Sequence, residues 1–106
     1  MINIWLDDER PIGVDFPADA ILCKTVGEAI DAIVANGYNI GMISFDHDLG
    51  DHHRTGYDLA CWIEQKVHEG VIKPFHFRVH SQNPVGRERI KSALRSIMLK
   101  WKGYQA

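Results

Sequence analysis

Residues 43–50 read Ile-Ser-Phe-Asp-His-Asp-Leu-Gly, an apolar run that stops at two carboxylates on either side of a histidine. The run predicts a buried strand over Ile40–Phe45, because a short apolar segment bounded by polar residues is typical of a parallel sheet. Ligands of parallel α/β sheets bind outside the carboxyl ends of the strands. Asp46, which follows this strand directly, is therefore the first candidate functional residue.

Three other short apolar runs predict strands, and two of them also end in polar residues. The predicted strands are Ile2–Leu6, Ala20–Cys23 and Phe75–Val79. Asp7 and Asp8 follow the first of them, and His80 and Ser81 follow the last. If the strands are parallel neighbours, these polar residues meet Asp46 at one edge of the sheet.

Helices are predicted between the strands by their start and stop signals. Capping boxes, in which a hydroxyl is followed three residues later by a carboxylate, begin helices at Thr25 and Thr55. The predicted helices are Val26–Ala35, a helix from Thr55 that Gly70 ends, and a last helix from Pro84 whose apolar stripe reaches Trp101. Prolines and a glycine within residues 11–17 disfavour a regular helix there.

Strands that alternate with helices predict an α/β fold with parallel strands joined by right-handed crossovers. We expect a three-layer sandwich with a sheet of about four strands and helices on both faces. The chain of 106 residues is long enough for one hydrophobic core and too short for two, so residues 1–106 are expected to form one domain.

Composition excludes several classes of protein. The chain is 45% hydrophobic and 25% charged, values that disordered and fibrous chains do not show. It has no apolar run of membrane-spanning length and no signal-peptide pattern, so we expect a cytoplasmic location. Residues 1–53 hold ten acidic and two basic residues, whereas residues 54–106 hold four acidic and ten basic ones. An acidic and a basic surface are therefore expected, which suits a metal site beside a phosphate-binding surface.

Four carboxylates are candidate metal ligands, namely Asp7, Asp8, Asp46 and Asp48. Acids that converge in one crevice repel one another unless a cation lies between them. Oxygen ligands without cysteine favour Mg²⁺ or Mn²⁺. The alternative is that Asp7 and Asp8 only begin an exposed loop.

Two histidines and three further polar residues are candidates for proton transfer and phosphate binding. His47 and His80 are predicted at the ligand side of the sheet, where a general acid or base is needed. Arg87 is a candidate for holding a phosphate, because a bound anion would relieve a positive charge in the first turn of the last helix. Arg10 is the other candidate for holding a phosphate. Ser81 either contacts a phosphoryl oxygen or caps the turn before Asn83.

Several motifs together resemble a response-regulator receiver domain with a flavodoxin-like fold. The acids after the first strand, the acid after the Ile40–Phe45 strand, and Thr-Gly-Tyr-Asp-Leu-Ala at residues 55–60 match that family in order and spacing. In receivers the paired acids bind Mg²⁺, the acid after the third strand accepts a phosphoryl group, and a Ser or Thr ends the fourth strand. Asp7, Asp8, Asp46 and Ser81 fall on those positions.

The chain also departs from an ordinary receiver. The first crossover helix is replaced by the segment with prolines, and the chain ends where a receiver has a fifth strand and a lysine. Three added motifs, Leu-Asp-Asp-Glu-Arg-Pro at 6–11, Asp-His-Asp-Leu-Gly at 46–50 and His-Ser-Gln-Asn-Pro-Val-Gly-Arg at 80–87, resemble the receiver-derived group called cyclic-phosphate processing receiver domains. Members of this group occur in phage and bacterial genomes.

This resemblance implies a metal-dependent phosphoesterase that processes a cyclic phosphate on a nucleotide, sugar or RNA end. Asp46 acts either as a metal ligand or as a nucleophile that forms an aspartyl phosphate. The competing interpretation is an inactive receiver-like module, which binds a protein partner or accepts a phosphoryl group on Asp46 in signalling. A weaker alternative is RNA binding by the basic last helix.

Overall fold

The computed structural model describes residues 1–49 and 54–105, with side chains up to residue 102. It contains the strands β1 (Ile2–Leu6), β2 (Ile21–Cys23), β3 (Ile40–Phe45) and β4 (His76–Val79), and the helices α1 (Val26–Ala35), α2 (Gly56–His68) and α3 (Pro84–Gln105). Every predicted element is present, and the boundaries of β1, α1 and β3 are those predicted. Part of the predicted loop from Asp46 to Arg54, residues 50–53, lies outside the described residues.

The four strands form one parallel sheet in the order β2-β1-β3-β4. Leu6 pairs with Phe45, and Phe45 pairs with Val79, so β1, β3 and β4 end at the same level. The predicted α/β fold class, a small receiver-like fold with a four-stranded parallel sheet, is confirmed.

All three helices pack on one face of the sheet, whereas the sequence predicted helices on both faces. Ile4, Leu6, Ile43 and Phe45 share one buried cluster with side chains from α1, α2 and α3. The connections from β2 to β3 and from β3 to β4 cross the sheet in the same direction. Right-handed crossovers that run in one direction lie on one face, so the helices form a single layer.

The opposite face carries the connection from β1 to β2, which crosses the sheet in the other direction. This connection contains no helix, as its prolines predicted. The buried ring of Phe16 lies edge-on to Trp5, with 5.3 Å between ring centroids. Arg78 on β4 donates hydrogen bonds of 2.9 and 3.0 Å to the carboxylate of Asp15. A loop therefore occupies part of the layer that was predicted to hold a helix.

The predicted helix caps are present. Thr25 Oγ1 accepts a hydrogen bond from the N–H of Glu28, and the N–H of Thr55 donates to the Asp58 carboxylate at 2.6 Å. These contacts satisfy N–H groups that the first turn of a helix leaves without partners. Among the described residues, none of the helices is both long and apolar enough to cross a membrane.

Candidate active site

Three candidate site residues meet at the carboxyl ends of β1, β3 and β4. The ladder continues one residue past each strand, because the N–H of Asp46 donates to Leu6 O at 3.1 Å and that of His80 donates to Phe45 O at 2.9 Å. Asp7, Asp46 and His80 thereby occupy equivalent positions on three neighbouring strands. The prediction that these strand ends converge is confirmed.

Asp7 is the most enclosed of the three groups, with 1% of its surface exposed. Its Oδ1 atom accepts hydrogen bonds from the N–H groups of Glu9 and Arg10 at 2.9 and 3.0 Å, and Oδ2 lies 3.0 Å from His80 Nε2. Burial raises the pKa of Asp7, but the two backbone N–H groups and His80 outweigh it, so the pKa is lowered. Asp7 is therefore an ionised carboxylate whose two oxygens are both hydrogen-bonded.

Asp46 is buried beside Asp7, with 6% of its surface exposed. Its Oδ1 atom accepts a hydrogen bond from the N–H of His47 at 2.8 Å. Burial, and then the charge of Asp7, raise the pKa of Asp46 above the ordinary value for an aspartate. Among the described residues, Oδ2 has no hydrogen-bond partner. Asp46 offers a carboxylate oxygen within 4.8 Å of ligand atoms of Asp7 and His80, and a cation among them would relieve the repulsion between the two acids.

His80 is held through both of its ring nitrogens. Since Asp7 is a carboxylate and only accepts, Nε2 carries a proton and donates to it, so in the neutral ring Nδ1 accepts from the Ser44 hydroxyl at 2.7 Å. Arg78 Nε donates to Ser44 Oγ at 3.4 Å. The imidazole also stacks on Trp5, with centroids 4.1 Å apart and 9° between the planes. The orientation of His80 is therefore fixed by contacts on three sides.

The pKa of His80 predicts how the stability of the metal-free protein depends on pH. Burial lowers the pKa of His80 from the ordinary 6.5, and its contacts with Asp7 and Asp46 offset this only in part. As pH falls through 6.5, the unfolded chain takes up a proton that the folded protein does not, so the free energy of unfolding decreases.

Urea unfolding of the wild-type protein and of His80→Gln, from about pH 8 to pH 5, measures this contribution. We expect the stability of the wild type relative to the variant to fall toward acid pH. The free energy of unfolding of the wild type minus that of the variant should therefore decrease toward acid pH. If this difference stays constant or increases, the expected protonation is contradicted.

The pocket at these strand ends has a volume of ≈ 380 Å³. Its lining is mostly charged and includes Asp7, Asp8, Glu9, Arg10, Asp46 and Asp48. Arg10 is half-buried, and its Nη1 atom donates to His80 O at 3.3 Å. Arg10 therefore places a positive charge among the acids, at the side of the sheet where the sequence predicted phosphate binding.

His47 and Asp48 form a second pair at the edge of the site. His47 Nδ1 lies 2.9 Å from Asp48 Oδ1, and Asn83 Nδ2 donates to the same carboxylate at 3.2 Å. The hydrogen bond from His47 lowers the pKa of Asp48. Nδ1 therefore carries a proton, and Nε2 of the neutral ring is an acceptor with no partner among the described residues. Asp48 orients His47 rather than joining Asp7 and Asp46.

Gly86 leaves the space that the His47 ring occupies. A Cβ atom at Gly86 would overlap Cγ and Nδ1 of His47. We expect Gly86→Ala to displace the ring and to lower the free energy of unfolding by about 1–3 kcal/mol, the usual cost of overpacking. Urea unfolding measures the change.

Gly27→Ala is the matched control for Gly86→Ala. Of the residues that the structure describes, its new methyl group would meet only the end of the flexible Arg54 side chain at 3.0 Å and Thr25 Oγ1 at 3.8 Å. We expect it to be neutral or to stabilise α1 by up to about 1 kcal/mol. Equal stabilities of Gly86→Ala and the wild type would show that His47 does not need this space.

Two predicted phosphate-site residues lie outside the group of Asp7, Asp46 and His80. Ser81 is buried, and its Oγ accepts a hydrogen bond from the N–H of Asn83 at 3.2 Å, which is the capping alternative. Arg87 is half-buried in the first turn of α3, where its N–H donates to Asn83 O at 2.8 Å. Neither residue lines the pocket.

Among the described residues, Asp7, Asp46 and His80 offer ligand atoms that all lie within 4.8 Å of one another. The sequence analysis predicted Asp7, Asp8, Asp46 and Asp48 as the metal set. The structure brings the first and third of these together with His80, while Asp8 and Asp48 line the same pocket outside this group. Two carboxylates and an imidazole fit a divalent cation, and the raised pKa of Asp46 supports this fit.

Sequence reasoning missed Ser44 and the role of Trp5. Ser44 was only one position in an apolar strand, and Trp5 was assigned to the core. Both side chains point to the face of the sheet opposite the helices, where they hold His80. The sequence did contain one signal for Ser44. A serine within an apolar strand is expected to be buried, and a buried hydroxyl needs a hydrogen-bond partner.

The model of one protein family matches most of the chain. The family is described as the cyclic-phosphate processing receiver domain, and its model matches residues 2–96. No curated protein and no solved structure matches the chain.

Proposed function

Because the chain belongs to the cyclic-phosphate processing receiver domain family, we propose that it opens a cyclic phosphate in a metal-dependent reaction. The substrate carries this phosphate on a nucleotide, a sugar or an RNA end. The observation that carries the proposal is the pair of buried carboxylates, Asp7 and Asp46, at neighbouring strand ends with His80 beside them. Buried acids with opposite pKa shifts are typical of functional sites.

Asp7, Asp46 and His80 are the residues that hold the cation. The carboxylates suit Mg²⁺ or Mn²⁺, and the imidazole favours Mn²⁺ of the two. Nε2 of His80 would hold the cation, and the remaining ring proton would then lie on Nδ1, where Ser44 Oγ would accept it instead of donating. When bound, the cation polarises the phosphoryl group and offsets the charge that develops on it.

His47 is the group that moves the proton. In hydrolysis, a water oxygen bonds to phosphorus, one ring ester P–O bond breaks, and the alcohol oxygen that leaves takes up a proton. Nε2 of His47 accepts the proton of the water and returns it to that oxygen, while Asp48 fixes the tautomer through Nδ1. Arg10, which lines the pocket, stabilises negative charge on the phosphate.

The second candidate function is phosphoryl acceptance at Asp46, in a module that signals or binds a partner without turnover. The observation in its favour is that Asp46 lines a pocket that also holds a positive charge from Arg10. In this case a carboxylate oxygen of Asp46 bonds to the phosphorus of a donor, the bond from phosphorus to the donor's leaving oxygen breaks, and the rest of the donor departs with that oxygen. Incubation with acetyl phosphate followed by intact-mass spectrometry measures this, and the mass gain is absent from Asp46→Asn.

A panel of 2′,3′-cyclic nucleotides tests the main proposal. The purified protein is incubated with each nucleotide and Mn²⁺, Mg²⁺ or EDTA, and the products are separated by chromatography. We expect linear monophosphates to form with a cation and not with EDTA. Calorimetry with each cation alone measures binding independently. Absence of both turnover and cation binding would rule out the proposed enzyme.

A further inference from the structure

β4 forms one edge of the sheet, with backbone groups that the described residues leave without a strand partner. The N–H of His80 donates to Phe45 O, which fixes the alternation of the ladder between β3 and β4. In a parallel ladder alternate residues bond to the same neighbour, so the N–H and C=O groups of Phe77 and Val79 point to the free edge. Such an edge is a template for another strand.

An apolar groove runs beside this edge, between β4 and α3. Its volume is ≈ 380 Å³, and its floor is formed by Phe77, Val79, Leu94 and Met98. Phe77 and Val79 are half-buried, and Met98 is 44% exposed. The groove shares no lining residue with the pocket at Asp46. A peptide bound here would therefore leave that pocket accessible.

The rim of the groove is basic. Lys91 and Arg95 line it, and helical spacing places Arg87 and Lys102 on the same stripe of α3. Glu88 is the acidic residue of α3. Arg78 also lines the groove, but its guanidinium is paired with Asp15 and adds little net charge to the rim.

We propose that β4 and α3 together bind an extended acidic segment of a protein partner, which adds to the sheet as a fifth strand. Alternate apolar side chains of this segment occupy the groove, and its backbone pairs with Phe77 and Val79. Its acidic side chains lie against Lys91 and Arg95. Three independent features of the surface, the free edge, the apolar floor and the basic rim, each match one feature of such a peptide.

A second copy of the chain fits this surface less well. Two β4 edges related by a twofold axis would bring their α3 helices side by side on one face of the sheet. Lys91 and Arg95 would then face the same residues of the other copy, and like charges in close contact disfavour association. RNA fits the basic rim, but it does not pair with a strand edge. The aromatic ring that the floor offers for base stacking is that of Phe77, whereas single-stranded RNA usually stacks on several rings.

The test uses peptides of about eight residues that alternate valine with glutamate, and matched peptides that alternate valine with lysine. Binding to the full chain is followed by fluorescence anisotropy, and amide chemical shifts locate the site. We expect the glutamate peptide to saturate below about 1 mM and the lysine peptide not to bind. The amide signals of Phe77 and Val79 should shift, and their exchange with solvent should slow.

Charge-reversed variants of α3 separate this site from general electrostatic attraction. The double variant that combines Lys91→Glu and Arg95→Glu should bind the glutamate peptide about tenfold or more weakly than the wild type. Arg89→Glu with Lys100→Glu makes the same charge change on the opposite side of the helix and should leave the affinity within about twofold.

Four results with the peptides or with the chain alone would overturn the proposal. They are no saturable binding of the glutamate peptide, equal loss of affinity in both double variants, shifts that map away from β4, and self-association of the chain through this edge in sedimentation. Tighter binding of a single-stranded RNA that is lost in Lys91→Glu with Arg95→Glu would assign the rim to nucleic acid and also overturn it. Peptide binding does not require turnover at the Asp46 pocket. A negative result with the peptides can therefore be distinguished from a negative result in the cyclic-nucleotide assay.

Discussion

Asp46→Asn is expected to abolish cation binding and to lower turnover of a cyclic nucleotide by about three orders of magnitude. The amide keeps the size of the side chain and still accepts the hydrogen bond from the N–H of His47. It removes the negative charge that a cation needs beside Asp7. Calorimetry with Mn²⁺ and single-turnover assays measure the two losses.

The stability of Asp46→Asn should change in the opposite direction from its activity. Burial and the charge of Asp7 raise the pKa of Asp46, so the ionised form carries a cost in the folded protein. Without metal we therefore expect the variant to unfold at the same temperature as the wild type or at a higher one. Loss of activity together with a lowered melting temperature would instead indicate a folding defect.

Matched aspartate variants distinguish this site from general charge effects. Asp31→Asn makes the same substitution at an exposed position of α1 and should leave cation affinity unchanged. Asp8 lines the pocket but does not belong to the group of Asp7, Asp46 and His80. We expect Asp8→Asn to weaken cation binding by about tenfold, the usual effect of losing a residue that supports the ligands. Cation affinity of Asp46→Asn within about threefold of the wild type would contradict the assigned ligands.

His47→Gln is expected to lower kcat by about 10²–10⁴-fold while leaving cation affinity unchanged. The glutamine side chain can still donate to Asp48, but it cannot carry a proton between water and the leaving oxygen. The pH–rate profile of the variant should differ from that of the wild type. This result separates proton transfer from metal binding, because Asp46→Asn and His80→Gln should lose both.

His68→Gln is the control for this substitution, since His68 is exposed at the end of α2. It should keep the wild-type rate and pH profile. An unchanged kcat in His47→Gln would assign proton transfer to another group, and the Asp7–His80 pair would be the next to test.

Local features of the sequence were sufficient to place the secondary structure and the polar strand ends. The helix boundaries at Val26 and Gly56 follow from capping contacts between residues only three apart. The carboxylates at β1 and β3 could be located for the same reason, since each directly follows an apolar run. The position of the helices could not be predicted this way, because it depends on the order of the strands.

The assignment of roles within the site depended on contacts between distant residues. Asp7 and His80 are 73 residues apart, and Ser44 and His80 are 36 apart, yet these contacts fix both nitrogens of one imidazole. From the sequence, His47 and His80 were equivalent candidates for proton transfer. In the structure His47 pairs with Asp48 against Gly86, whereas His80 lies between Asp7 and Ser44.

The sequence alone determined that this chain forms a parallel α/β fold with acids and a histidine at its strand ends, because strand and helix signals are encoded within a few neighbouring residues. The tertiary structure alone decided that all helices share one face and that His80 joins Asp7 and Asp46. It also decided that β4 forms an edge of the sheet among the described strands, beside a basic helix. These properties follow from strand order and crossover direction, which bring together residues whose separation in sequence carries no local signal.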